Sequence, residues 1–153
     1  SGNIVTDMGS ASPGAVIGVF FGAEYSDNST GDVKFVRSIP ASTVAKAKFK
    51  AYVYDDPNTL FKVQADQASS ALTAANVGNN LQIVASPTGS TVTFKSGLVA
   101  DSSTKATTNT FPLQLLGSAQ DDLGYTAAGT TMDALVRINS HQHRTGATGV
   151  TGI

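Results

Sequence analysis

His141 and His143 are the two histidines of the chain, spaced two apart in Ser140-His141-Gln142-His143. On a strand, residues i and i+2 share a face, so both imidazoles can turn toward one metal ion. A zinc site takes three or four protein ligands. Asp133 or Asp121 could complete such a site only by an accident of folding. The expected reading is a surface or interface pair with no metal. Asp55-Asp56 and Asp121-Asp122 are paired carboxylates, the groups that glycosidases and metal-dependent nucleases use. Asp55-Asp56 runs straight into Pro57-Asn58, where Asp supports a turn by bonding its own backbone. Asp121-Asp122-Leu123-Gly124 reads the same way. There is no G-x-S-x-G elbow, phosphate loop or dinucleotide fingerprint. No catalytic residue and no cofactor is expected, and the chain reads as a non-enzyme.

A different grouping points to binding. Lys34, Arg37, Lys46, Lys48 and Lys50 are five of the ten basic residues. Phe35, Phe49, Tyr52 and Tyr54 are interleaved with them. Such a face can stack single-stranded nucleic acid in a positive groove, and this is the alternative function. It can also dock on an acidic protein surface. The plain reading is a solvated strand face. A net charge of −1 argues against a duplex-DNA binder, whose affinity comes from neutralising phosphates.

The elements that position these residues are short strands. Ala15 to Phe21 is apolar at nearly every position and fits a strand buried on both faces. Asn28-Ser29-Thr30-Gly31 is a turn, and Val33 to Val36 returns as a hairpin partner. In Ala47 to Tyr54, Phe49, Ala51 and Val53 alternate with Lys48, Lys50, Tyr52 and Tyr54. With the Asp55–Asn58 turn and Leu60 to Ala65, this predicts a second hairpin. One short helical turn is expected in Gln67 to Ala75. Strands are expected at Leu81 to Val84, Thr91 to Phe94, Phe111 to Gly117 and Leu135 to Ile138. Ser96 to Asn109 is Ser/Thr-rich and reads as a surface loop, and Asp121 to Thr131 as another. Phe20, Phe21, Phe61, Phe94 and Phe111 are expected in the core.

Composition agrees with an all-β chain. Among 153 residues the apolar fraction is 41% and the charged fraction 14%, with 15 glycines and no cysteine. Glu24 is the one glutamate, so helix-favouring acidic residues are nearly absent. Without cysteine there is no disulfide and no thiolate ligand. The low charge suits a surface that faces another protein. The predicted fold is a small β-barrel or β-sandwich of short antiparallel strands over residues 15–143. An extended N-terminal arm (residues 1–14) and a C-terminal tail (residues 144–153) flank it. Residues Ser1 to Gly14 lack the basic start and apolar middle of a signal peptide. Ala15 to Ala23 is too short to span a bilayer, so no membrane association is expected.

Three segments carry a resemblance: Gly18 to Asp27 (GVFFGAEYSD), Ala51 to Asp66 (AYVYDDPNTLFKVQAD) and Leu135 to Gln142 (LVRINSHQ). They resemble capsid-associated structural proteins of tailed phages of aquatic bacteria, cyanophages included. The resemblance covers most of Gly18 to Gly149. It implies a cement or decoration subunit on the outside of a virion shell, assembled in the host cytoplasm. The implied partners are a major capsid protein of the HK97 type and further copies of the chain, as a trimer first and a dimer second. Repetition of many weak bridges by symmetry makes a multivalent clamp. Asn3, Ile4, Val5, Met8, Pro13, Arg144, Val150 and Ile153 are the expected inter-subunit contacts in the two arms. Lys34, Arg37, Lys46, Lys48 and Lys50 are the expected docking face.

Overall fold

The structure, a computed structural model, describes residues 15–37, 48–67, 70–85, 96–119, 125 and 127–153. Its strands are β1 (Val19–Ser26), β2 (Val33–Val36), β3 (Lys50–Tyr54), β4 (Leu60–Ala65), β5 (Asn80–Ala85), β6 (Leu98–Ala106), β7 (Leu113–Ser118) and β8 (Met132–Ile138). Among the described residues the only helical pieces are two short 3-10 turns, Ala74–Asn76 and Gly146–Thr148. The all-β class follows from the chain's wealth of Thr, Val and small residues.

The strands divide between two sheets. Strands β4, β6, β5, β7 and β8 close into a barrel in that order. Strands β2, β1 and β3 form a separate sheet with β1 in the centre. In β8, Met132, Ala134, Val136 and Ile138 are buried, and Asp133, Leu135 and Arg137 alternate with them. That period of two is the signature of a strand with one buried face. The core consists of Ala65, Leu72, Leu81, Ala100, Leu113, Leu115, Met132, Ala134 and Val136. Three alanines among them keep the interior narrow enough for five short strands to enclose.

Among the described residues the β4–β6 seam is the one parallel pairing between strands, and it holds a single pair, Ala65 with Ala100. Polar groups complete it. The Asp66 N–H donates to the Ala100 carbonyl at 3.1 Å. The Asp66 carboxylate accepts the Ser102 N–H at 3.1 Å and the Ser102 hydroxyl at 2.8 Å.

Several expectations need correction. Residues 96–109 are not a loop, because they contain β6, the longest strand. Its Ser/Thr run disguises a wide bulge: Asn80 pairs with Ala106, yet Gln82 pairs with Asp101. Local polar bonds hold that bulge. Asp101 accepts from the Ser103 N–H and hydroxyl, and Thr104 accepts the Gln82 N–H. The Asp55–Asn58 turn forms as expected, with the Asn58 N–H on the Asp56 carboxylate at 2.8 Å. The hairpin it was expected to close does not form: β3 pairs with β1, and β4 pairs with β8. The turn is a crossing between sheets.

The first hairpin is as expected. β1 and β2 pair antiparallel around the 28–31 turn, and Asp27 holds that turn through Ser29 and Lys34. The Ala15–Phe21 segment is not buried on both faces, since Ile17, Val19 and Phe21 are exposed. The phenylalanines do not make the core either. Phe21 is exposed, Phe20 and Phe111 are half-buried, and Phe61 packs at the core's edge. The expected helical turn is present only as Ala74–Asn76. Thr91 to Phe94 and Asp121 to Gly124 lie outside the described residues.

Candidate docking face and the sheet–barrel junction

The bulge in β1 builds an aromatic surface. Val19 pairs with Tyr54 and Gly22 with Tyr52, so Phe21 stands beside both tyrosines rather than opposite one residue. Its ring lies 4.7 Å from Tyr54 and 5.9 Å from Tyr52, centroid to centroid. On the far side of Tyr52, the Phe35 ring lies at 5.5 Å. Four tilted rings thus run across all three strands. Gly22 makes room for them: a Cβ there would sit 3.1 Å from the Phe35 ring. Phe35 is 61% exposed, Tyr54 53% and Phe21 42%, so these rings face outward. Val19, Val33 and Ile17 extend the exposed apolar surface. The opposite side of the sheet is different, for Ala23 and Tyr25 are buried there.

The charges on this sheet are distributed unevenly. Glu24 lies within the aromatic row and accepts the Tyr52 hydroxyl at 2.8 Å. That bond raises the Tyr52 pKa, with desolvation adding to it. Lys50 lies 3.8 Å from the same carboxylate. Lys34 pairs with Tyr25 in register, which puts it on the other side of the sheet, and it binds Asp27 at 2.7 Å. Lys34 and Ser29 hold the Asp27 carboxyl below the usual carboxylate range, and Asp27 raises the Lys34 pKa. The predicted basic face is therefore not one patch. Lys34 and Lys50 are ion-paired, Arg37 and Lys48 are exposed at strand ends, and Lys46 lies outside the described residues. Glu24 thus puts a carboxylate amid the rings, and Lys34 and Lys50 each have a carboxylate partner.

The histidines are brought together, with unlike surroundings. Their rings lie 5.8 Å apart. His143 is exposed, and His141 is fully buried. His141 therefore departs from the expected surface pair. It lies past the end of β8, where its backbone bridges Val16. The Val16 N–H donates to the Ser140 carbonyl at 2.7 Å, and the Gln142 N–H donates back to the Val16 carbonyl at 2.8 Å. His141 Nδ1 accepts the His143 N–H at 3.1 Å, while Nε2 is buried without a hydrogen-bond partner. Burial lowers the His141 pKa, His143 and Arg144 add to that, and Asp55 and Asp56 oppose it. Among the described residues, no group of three or more His, Cys, Asp or Glu is placed to hold a metal ion.

The C-terminal tail is docked on the barrel. Asn139, fully buried, donates to the carbonyls of Asn109, Phe111 and Val150 at 3.1 Å each and accepts the Val150 N–H at 2.8 Å. Asn80 adds a second donor to the Val150 carbonyl at 2.7 Å. The Gly152 and Ile153 N–H groups reach Thr107 and Gly78. Of the predicted contact residues, Arg144, Val150 and Ile153 keep exposed side chains on a backbone committed to their own barrel. Asn3, Ile4, Val5, Met8 and Pro13 lie outside the described residues.

Sequence reasoning missed Phe21 as a surface residue and His141 as a junction. The apolar alternation around Phe21 offered no sign of the bulge. For His141 the neighbouring Asn139-Ser140 was a usable signal, since polar residues directly after a core strand often serve as buried staples. No protein-family model, curated protein or solved structure matches this chain. The fold and the face together define a small barrel carrying an appended aromatic sheet. Among the described residues, no helix is long and apolar enough to cross a membrane.

Proposed function

We propose that this chain is a non-enzymatic virion structural protein that binds the outside of a capsid and stabilises it by bridging coat subunits. The observation that carries the proposal is the row Phe21, Tyr52, Tyr54 and Phe35, presented outward on a sheet separate from the barrel. Exposed aromatic rings at the centre of a polar rim are the usual anchors of protein interfaces. Arg37 and Lys48 flank the row and suit an acidic partner surface, steering encounter more than adding affinity. The resemblance of residues 18–27, 51–66 and 135–142 to phage cement proteins supplies the partner, a coat protein of the HK97 type. The barrel then serves as a rigid base, and symmetry on the shell multiplies weak contacts into a strong clamp. A trimer at threefold positions is the first choice of assembly and a dimer at twofold positions the second.

The test is co-sedimentation with shells of the encoding virus that lack the protein. Wild-type chain pellets with shells, and the Phe35→Ser/Tyr54→Ser double variant stays in the supernatant while remaining folded. Equal binding by both proteins refutes the docking face. Absence of the wild-type chain from electron-microscopy density of intact particles refutes the virion role.

A further inference from the structure

The sheet and the barrel are joined by chain crossings and by the Val16–His141 bridge, the one isolated ladder contact among the described residues. The histidine at that contact is built for one protonation state. Its Nδ1 accepts the His143 N–H, so the neutral ring carries its proton on Nε2. That Nε2 is buried with no acceptor. An imidazolium in the same place would turn Nδ1 into a donor facing another donor. It would also leave two buried N–H groups without an acceptor. A buried unpaired charge is expensive, and the structure relieves it by moving the group to water.

We propose that His141 is a proton-operated latch, whose neutral ring holds the Val16 segment on the barrel and whose protonation frees that segment. The groups facing it are few. The 55–59 crossing contributes Asp55 and Asp56, which favour the charged ring. Its own segment contributes His143 and Arg144, which disfavour it, and Val16 brings no titratable group. Desolvation is the largest single cause, and the net effect favours the neutral ring. The latch acts on local structure because the bonds at stake are local: Val16 N–H to Ser140, Gln142 N–H to Val16, and His143 N–H to the ring itself. Coupling of the latch to shell binding rests on the functional reading above, whereas the latch does not.

The experiment is residue-resolved hydrogen exchange on the full chain between pH 7.5 and pH 5, expressed as protection factors to remove the intrinsic pH dependence. The expected result is a fall of at least roughly tenfold in protection at Val16, Gln142 and His143 that exceeds any fall at the β8 amides. His143→Ala keeps its backbone N–H and is expected to keep the response. Constant protection at Val16 and Gln142 overturns the proposal, as does a parallel loss throughout β8, which would be global unfolding. Loss of the response in His143→Ala also overturns it by making His143 the sensor. All three readouts are taken without shells, so failure to bind capsids leaves them unaffected.

Discussion

Replacing Asn139 by alanine tests the account of the docked tail. The side-chain amide spreads its two N–H donors over the carbonyls of Asn109, Phe111 and Val150 and accepts the Val150 N–H. A typical internal hydrogen bond contributes roughly 1 kcal/mol net, and a buried partner left unpaired by truncation costs more. That is about 3 kcal/mol for the three donor and acceptor groups of the side chain, with water reaching the exposed side of the tail offsetting part of the loss. The expected loss is about 2–4 kcal/mol, read as a lower urea midpoint with an unchanged slope. In a chain of this size that corresponds to a drop in Tm of roughly 5–15 °C. Exchange at the Val150 and Gly152 amides should accelerate more than exchange in β8. Asn139→Asp provides a second check. It keeps the acceptor for Val150 but sets a carboxylate against three carbonyls, so relative to wild type it should be less harmful at pH 4 than at pH 8. A loss below about 1 kcal/mol for Asn139→Ala would refute the idea that these bonds hold the tail.

Five further outcomes follow from the same structure. Met132→Ala opens a cavity at a fully buried core position and should cost about 2–5 kcal/mol in equilibrium unfolding. Gly149 has φ +60°, and a Cβ there would lie 2.3 Å from the Asn109 carbonyl oxygen, so Gly149→Ala should lower Tm and release the tail. Phe21→Ser should leave Tm within a few degrees of wild type, since the ring is partly exposed and lies outside the core, while reducing shell co-sedimentation. On acidification, the His141 pKa is lowered in the folded state, so the unfolded chain takes up the proton first. Stability is full above the ordinary value of 6.5 and falls as pH drops below it, and His141→Asn should flatten that part of a urea-midpoint profile. The depressed Asp27 carboxyl acts in a separate window, its contribution being present above 3.8 and lost at more acid pH.

Local chemistry was readable from residue order, and pairing was not. The Asn28–Gly31 turn, the alternation of β3, the burial of Leu113 and Leu115, and the all-β class all follow from short-range preferences for turns and two-residue periodicity. Phe35, Tyr52 and Tyr54 were legible as a group beside the basic residues, Tyr52 and Tyr54 because they share a strand face, whereas Phe21 was not. Which strand each would meet depended on contacts distant in sequence. The Asp55–Asn58 turn looks the same whether it closes a hairpin or links two sheets, and only the fit of β4 against β8 selected the second. The exposure of Phe21 arose from a bulge set by register between β1 and β3. β6 escaped notice because its Ser and Thr side chains find partners in Asp66, Asp101 and Gln82, and the bonds to Asp66 and Gln82 exist only once the barrel has closed. His141 became a buried junction because the chain ends of two sheets converge on it, and a one-dimensional string of residues contains no measure of that convergence.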